Sequence, residues 1–393
     1  MQTLSQSPTD PAFVQNPYPF YERARAAGPL FVWQDYGMIC TTSAAVTGAI
    51  FRDRRFGREI PPEKSRPIPD HLKPFYAVEA HSMLELEPPR HTRLRGLVLR
   101  AFTSRRIAAL APEIAEVSQA LIDRFPAGDF DLLKAFATHL PVIIICRLLG
   151  VPEDRGEDLL AWSNAMVGMY QARRTRETEE AAVAATEAFV AFMRSYVEER
   201  RHRPADDLIT SLIAAEMEGE KLSTDELIST CILLLNAGHE ATVHTLGNGV
   251  KALLENGFGA DVLGPDRVEG TVEEVLRHDP PLHMFTRWAY EDVEIGGHLF
   301  RRGDEVGLLL GAANRDPNVW DEPQRFDPAR PVKPNHAFGA GLHFCVGAPL
   351  ARLELQIALP LLFDRCPTLR LTQPPGYANL YHFHGLDRLM VGT

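Results

Sequence analysis

Long apolar runs are largely missing from this 393-residue sequence. The longest, at 141–149, is far short of the roughly 20 residues that cross a bilayer. The opening Met-Gln-Thr-Leu-Ser-Gln-Ser-Pro has no basic start and no apolar core, so neither a signal peptide nor a membrane anchor is expected. Cysteine is scarce. The five residues Cys40, Cys146, Cys231, Cys345 and Cys366 are odd in number and scattered, which argues against a disulfide framework and fits a reducing cytoplasm. An excess of positive charge is missing too. With 41 Lys and Arg against 52 Asp and Glu, the net charge is −11, which speaks against nucleic acid and against an anionic membrane surface as partners. Repeats and low-complexity tracts are absent. A soluble, cytoplasmic, monomeric protein is expected.

Apolar residues make up 45% of the chain, enough for a large core. Their spacing predicts amphipathic helices at 108–125, 132–149 and 181–200, the second stopped by Gly150 and Pro152. A longer helix is expected from about 222 to 254. Ser223 and Glu226 have the spacing of a capping box at its start, and Asn256-Gly257 suits its end. At about 45 Å it could cross the whole molecule. It is apolar on nearly all sides and so should be buried, yet it carries Asn236, Gly238, His239 and Glu240 in mid-run. Strands are expected at 30–32, 38–41, 293–295, 298–300 and 305–310. The fold class is therefore mainly α with small β-sheets drawn from both ends of the chain.

The most informative stretch is 338–352, Phe-Gly-Ala-Gly-Leu-His-Phe-Cys-Val-Gly-Ala-Pro-Leu-Ala-Arg. Cys345 lies in a glycine-rich loop directly before a helical run. Loop N–H groups and the positive end of a helix stabilise a thiolate there. Gly339, Gly341 and Gly347 would let the backbone pass close to a flat group, with Phe338 and Phe344 as apolar walls. A thiolate against a large planar cofactor suggests axial haem ligation. A zinc site from His343 and Cys345 finds no second Cys/His pair at zinc spacing.

This string resembles the haem-binding signature of the cytochrome P-450 monooxygenases, F-x-x-G-x-x-x-C-x-G followed by L-A-R. Four further segments are similar to that family in the same order, so the resemblance spans essentially the whole chain. It implies one haem domain over residues 1–393, a triangular unit with a long central helix. The β-rich part would lie at about 25–60, 285–325 and 370–393, and the helical part at about 88–280 and 346–366. Haem b is implied as cofactor, with Cys345 as the iron ligand and Phe338, Gly339 and Gly347 against the haem. Glu87–Arg95, E-P-P-R-H-T-R-L-R, resembles the family's D-P-P-x-H-x-x-x-R with glutamate in place of aspartate. It implies that His91 and Arg95 hold haem propionates, a role the resemblance also gives to Arg287 and His343. Glu274 and Arg277 match E-x-x-R, and with Arg330 they are implied to lock the core behind the cysteine loop.

The segment 237–242, Ala-Gly-His-Glu-Ala-Thr, resembles the oxygen-activation motif A-G-x-(D/E)-T. Glu240 then matches the proton-relay acid, and Gly238 would make room for O₂. The usual threonine is Ala241. Thr242 lies about 100° further round the helix and cannot simply replace its hydroxyl. Glu240, Ala241 and Thr242 are taken together as the catalytic group, with a substrate polar group or an extra water completing the relay. The resemblance further implies a pocket lined by Leu233, Asn236, Ala237, Leu282, His283, Phe285 and Phe383, in which Asn236 or His283 would bond a polar handle on the substrate. Residues 160–205 and 65–85 are expected to form a lid. The expected activity is insertion of one atom of O₂ into a small to medium organic substrate, with electrons from a separate ferredoxin or flavodoxin docking near Arg100, Arg105, Arg106 and Arg352. Ala241 leaves open a peroxide-driven or oxidative-coupling enzyme of the same fold, and a non-catalytic haem sensor is a further alternative.

Overall fold

The computed structural model describes residues 1–170, 174–217 and 219–393. The chain groups into two compact units, each assembled from separated segments.

The first unit comprises Met1–Lys64, Ser118–Ala137 and Ala241–Thr393. Its centre is a six-stranded mixed sheet in the order Thr3–Leu4, Leu30–Trp33, Met38–Thr41, Glu305–Leu309, Met284–Ala289 and Phe56–Gly57. Glu305–Leu309 runs parallel to Met38–Thr41 and antiparallel to Met284–Ala289, pairing Val306 with Arg287 and Leu308 with Phe285. One side of the sheet buries Phe13, Phe20, Tyr21, Phe31, Trp33 and Tyr381. The other buries Ile50, Phe51, Phe56, Phe300 and Leu310. The hairpin Val293–Ile295/His298–Phe300 turns on Gly296 and Gly297, both at positive φ, as a tight two-residue turn requires. Helix Ala348–Arg365 belongs to this unit, as does helix Val268–His278.

The second unit, Ser65–Val117 and Thr138–Glu240, is helical. Helix Gly156–Val167 packs on Arg176–His202 through Trp162 and Phe189, whose ring centroids lie 5.4 Å apart. Helix His139–Leu149 ends on Gly150 in the left-handed conformation, where Val151 N–H returns to Cys146 carbonyl. The long helix, Thr224–Glu255, has residues 224–240 in this unit and 241–255 in the first. Its capping box forms in both directions: Ser223 N–H donates to Glu226 at 2.9 Å, and Glu226 N–H donates to Ser223 Oγ at 3.2 Å. It stops at Gly257, with φ +70°.

All five expected strands appear: Met38–Thr41, Val293–Ile295 and His298–Phe300 have their expected ends, and Leu30–Trp33 and Glu305–Leu309 differ by one residue. Two expectations need correction. The expected helix at 108–125 divides into Ser104–Ala109 and Ala111–Ile122. The one at 132–149 begins with a wide turn, Leu133–Ala137, before His139–Leu149. Met284–Ala289, at the start of the β-rich part expected from about 285, is an internal strand. Its burial does not alternate residue by residue, so periodicity gives no strand signal there. No helix among the described residues is long and apolar enough to cross a membrane. Of the expected lid, residues 171–173 lie outside the described residues. Met166 and Met169 are buried, and Tyr170 donates to Glu79 at 3.0 Å.

Candidate functional site

Four cysteines are buried and Cys345 is exposed. Burial pushes the thiols of Cys146 and Cys231 up to about 12, which keeps them protonated and unreactive. Cys345 sits three residues ahead of helix Ala348–Arg365, capped by Gly347 with proline in its first turn. Its backbone N–H closes the loop onto Phe338 carbonyl at 3.1 Å. Gly339 and Gly341 take φ of +67° and +71°. A side chain at Gly341 would also meet Phe51 carbonyl oxygen at 2.0 Å, so only glycine fits. Gly347, by contrast, has φ −79° and is glycine for no conformational reason. Phe338 and Phe344 stand edge to face, centroids 6.5 Å apart, with Phe344 exposed.

The cysteine loop rests on a cluster that includes two more expected residues. Gly339 lies against Phe285 and Phe51, which meet edge to face at 6.3 Å. The Arg287 guanidinium stands over Phe51 at 5.0 Å, buried, with one donor on Thr286 carbonyl at 2.7 Å. Arg58 lies over Phe285 at 6.0 Å. Neither Phe51 nor Arg58 carried any signal in the sequence; tertiary packing alone brings them here.

Behind the loop is a buried ion network. Arg277 holds Glu274 through two bonds of 2.7 and 2.8 Å, and its other donors reach the carbonyls of Asn314, Pro323 and Arg325. Arg330 Nε lies 3.2 Å from the second oxygen of Glu274, and Asp327 N–H donates to the first at 2.8 Å. One carboxylate thus anchors the 321–330 loop to helix Val268–His278.

The remaining expected residues lie in the second unit or at its edge. His91 and Arg95 sit four apart on helix Arg90–Ala101, His91 buried and Arg95 half-buried. On the long helix, Leu233, Asn236, Ala237 and Glu240 form an accessible stripe at i, i+3, i+4 and i+7. Ala241 is half-buried, while Thr242, about 100° away, is buried. Thr242 thus lies off the accessible stripe that carries Glu240. One turn on, the Thr245 hydroxyl donates to Ala241 carbonyl at 2.6 Å. Gly238 faces Ile145, which a methyl there would meet at 3.3 Å, closer than ordinary packing contact.

The polar pocket candidates separate. His283 is fully buried, bonded to Tyr21 at 2.8 Å and turned into the protein, so it does not line a pocket. Asn236 donates to the Met166 sulfur at 3.7 Å, and its Oδ1 is buried without a hydrogen-bond partner. Leu282 and Phe383 are joined by an antiparallel bridge and are partly accessible.

Comparison with known proteins follows this geometry. The family model for cytochrome P450 matches residues 268–375. The biotin biosynthesis cytochrome P450 of Bacillus subtilis (strain 168) is 36% identical over 397 residues, covering 99% of each chain. The vitamin D(3) 25-hydroxylase of Pseudonocardia autotrophica is 37% identical over 91% of this chain and 88% of its own. The crystal structure of P450BioI in complex with hexadec-9Z-enoic acid ligated acyl carrier protein superposes with TM-score 0.89 at 35% identity, over 97% of this chain and 99% of that one.

Proposed function

From the premise that this chain belongs to the cytochrome P450 family, we propose how its own residues carry out the family's reaction. The protein is a haem b monooxygenase acting on an organic substrate with O₂. The observation that carries the assignment of roles is Cys345, the exposed cysteine, held in a glycine-locked loop ahead of a helix N-terminus. That donor, beside the apolar Phe338 and Phe344, suits a flat haem bound through iron. When bound, haem supplies oxygen activation, favoured by the electron-rich thiolate.

Arg287, His343, His91 and Arg95 are the proposed propionate donors, each able to donate to a carboxylate. Glu240 is the proposed proton carrier, only partly exposed on the long helix and beside His239. Ala241 carries no hydroxyl to order water, and Thr242 is buried off the Glu240 stripe, so water held by Glu240 or by the substrate's own polar group would supply the proton when haem and O₂ are bound. Ala241→Thr is expected to change product formed per NADH by less than about twofold (about 0.4 kcal/mol) with the native substrate. A strong rise in coupling would overturn substrate assistance. Ala241 also supports a second reading, a peroxide-driven enzyme. Turnover under ¹⁸O₂ with NADH and a surrogate ferredoxin system separates the two: labelled product supports the monooxygenase, and product only with added peroxide supports the alternative.

Asn236 is the proposed specificity residue, because its buried carbonyl would be satisfied by a substrate donor. Leucine there removes an unsatisfied polar atom, so Asn236→Leu should leave stability equal or raised by about 1 kcal/mol. The same change should weaken binding of the hydroxyl-bearing or amide-bearing substrate about tenfold, read by titration of the haem spin state. Unchanged affinity would return Asn236 to a packing role.

Electrons are proposed to come from a separate small ferredoxin or flavodoxin. Arg100 and Arg105 are exposed and suit its docking. Arg106 pairs with Asp206 at 3.2 Å and Arg352 with Glu273 at 2.5 Å, so these two add less than their charges suggest. A soluble, monomeric protein completes the reading.

A further inference from the structure

Away from the cysteine loop, the first unit buries a cluster of donors that the proposed chemistry does not use. Asp279, His283 and His384 are each at least 94% buried, and one donor atom from each lies within 4.8 Å of the others. Asp279 Oδ1 is 3.5 Å from His384 Nε2 and 3.8 Å from His283 Nε2. These are too long for good hydrogen bonds, and His283 Nε2 has no hydrogen-bond partner. They lie a few tenths of an ångström above the edge of a ligand tetrahedron around zinc, about 3.4 Å for bonds of about 2.1 Å.

The surroundings are those of ligands held in advance. His283 Nδ1 meets Tyr21 Oη at 2.8 Å, and Tyr21 meets Tyr381 at 2.8 Å. In the tautomer whose Nδ1–H donates to Tyr21 Oη, Nε2 keeps the lone pair that coordinates, the usual support of a metal-binding histidine. Tyr18 donates to Asp279 Oδ1 at 2.6 Å, and Tyr377 donates to Oδ2. The His384 ring stacks on Tyr377 at 3.8 Å. The two chain segments are tied by backbone as well. His384 N–H donates to Pro281 carbonyl at 2.8 Å, and the Asn248 amide donates to the carbonyls of both Asp279 and His384.

We propose that Asp279, His283 and His384 form a structural zinc site, its fourth position taken by water or the Tyr18 hydroxyl. Two imidazoles and a carboxylate suit a divalent transition metal, and this donor set is one that zinc takes. The neighbouring cations face the phenol rings: Lys251 lies 5.3 Å from the Tyr377 centroid and Arg315 3.3 Å from that of Tyr18. The ion would clamp the 279–283 bend to the C-terminal turn and so fix the bridge between Leu282 and Phe383.

The test is zinc content by mass spectrometry of haem-loaded, full-length protein expressed with zinc and dialysed. The expected result is about one zinc per chain beside the haem iron. A chelator should lower the melting temperature, and added zinc should restore it. Tyr21→Phe, which keeps the packing, should weaken zinc affinity about 10–100-fold. His384→Cys should retain zinc, and His384→Asn should lose it, with haem content reporting folding in each. Wild-type protein without zinc, whose melting is indifferent to added zinc, would overturn the proposal, as would full zinc retention in His384→Asn.

Discussion

Cys345→Ser yields a protein that folds and loses its haem-thiolate signature. The reduced, carbon-monoxide-bound Soret band should return to the position of a neutral-ligand haem, or haem should be lost altogether. Oxygenation should fall at least about a thousandfold, equivalent to about 4 kcal/mol of barrier. The hydroxyl is close in size to the thiol but far more weakly acidic, so it supplies no anion at neutral pH. The loop itself should survive, because its shape rests on Gly339 and Gly341 at positive φ and on the Cys345 N–H bond to Phe338 carbonyl, none of which uses the sulfur. Cys366→Ser is the control, since that buried thiol lies outside the loop, and it should leave the spectrum unchanged. A wild-type spectrum from Cys345→Ser would remove the cysteine from ligation and with it the proposed arrangement.

The second large effect concerns stability. Glu274→Gln keeps the shape of the side chain but removes the negative charge facing both Arg277 and Arg330, which lie 2.7 and 3.2 Å from it. Arg277 is 1% exposed, so its charge would be left with carbonyl acceptors alone. Breaking one side of a buried ion pair typically costs about 3–5 kcal/mol, and urea denaturation should give a loss of that size. Arg330→Lys should cost less, about 1–2 kcal/mol, because lysine keeps the charge but not the planar fork that reaches Glu274 and three carbonyls together. Haem bound per folded chain should stay near normal in both, since neither residue belongs to the cysteine loop. An unchanged unfolding midpoint for Glu274→Gln would mean that the network contributes nothing net to stability.

Where chemistry is local, the sequence alone determined it. Cys345 with its glycines is a loop–helix junction whose backbone demands are written in consecutive residues. The Ser223–Glu226 cap and the Gly257 stop follow from short-range hydrogen bonding. The absence of a hydroxyl at 241 is visible without coordinates. Glu274, Arg277 and Arg330 were legible as a set only through resemblance, because spacing alone cannot distinguish a buried pair from a solvated one.

Tertiary structure decided whatever depends on which way a side chain faces. His283 and Asn236 were equal candidates for a polar handle. Packing against Tyr21 buries the first, and the helix phase leaves the second with an unsatisfied carbonyl. Helix phase likewise separates Thr242 from Glu240. Arg58 and Phe51 reach the Cys345 loop only through the fold, as do Asp279, His283 and His384, which the chain brings together across 106 positions of sequence. Local patterns fix backbone conformation because their partners lie within a few residues. Side-chain convergence over such distances depends on how the whole core closes.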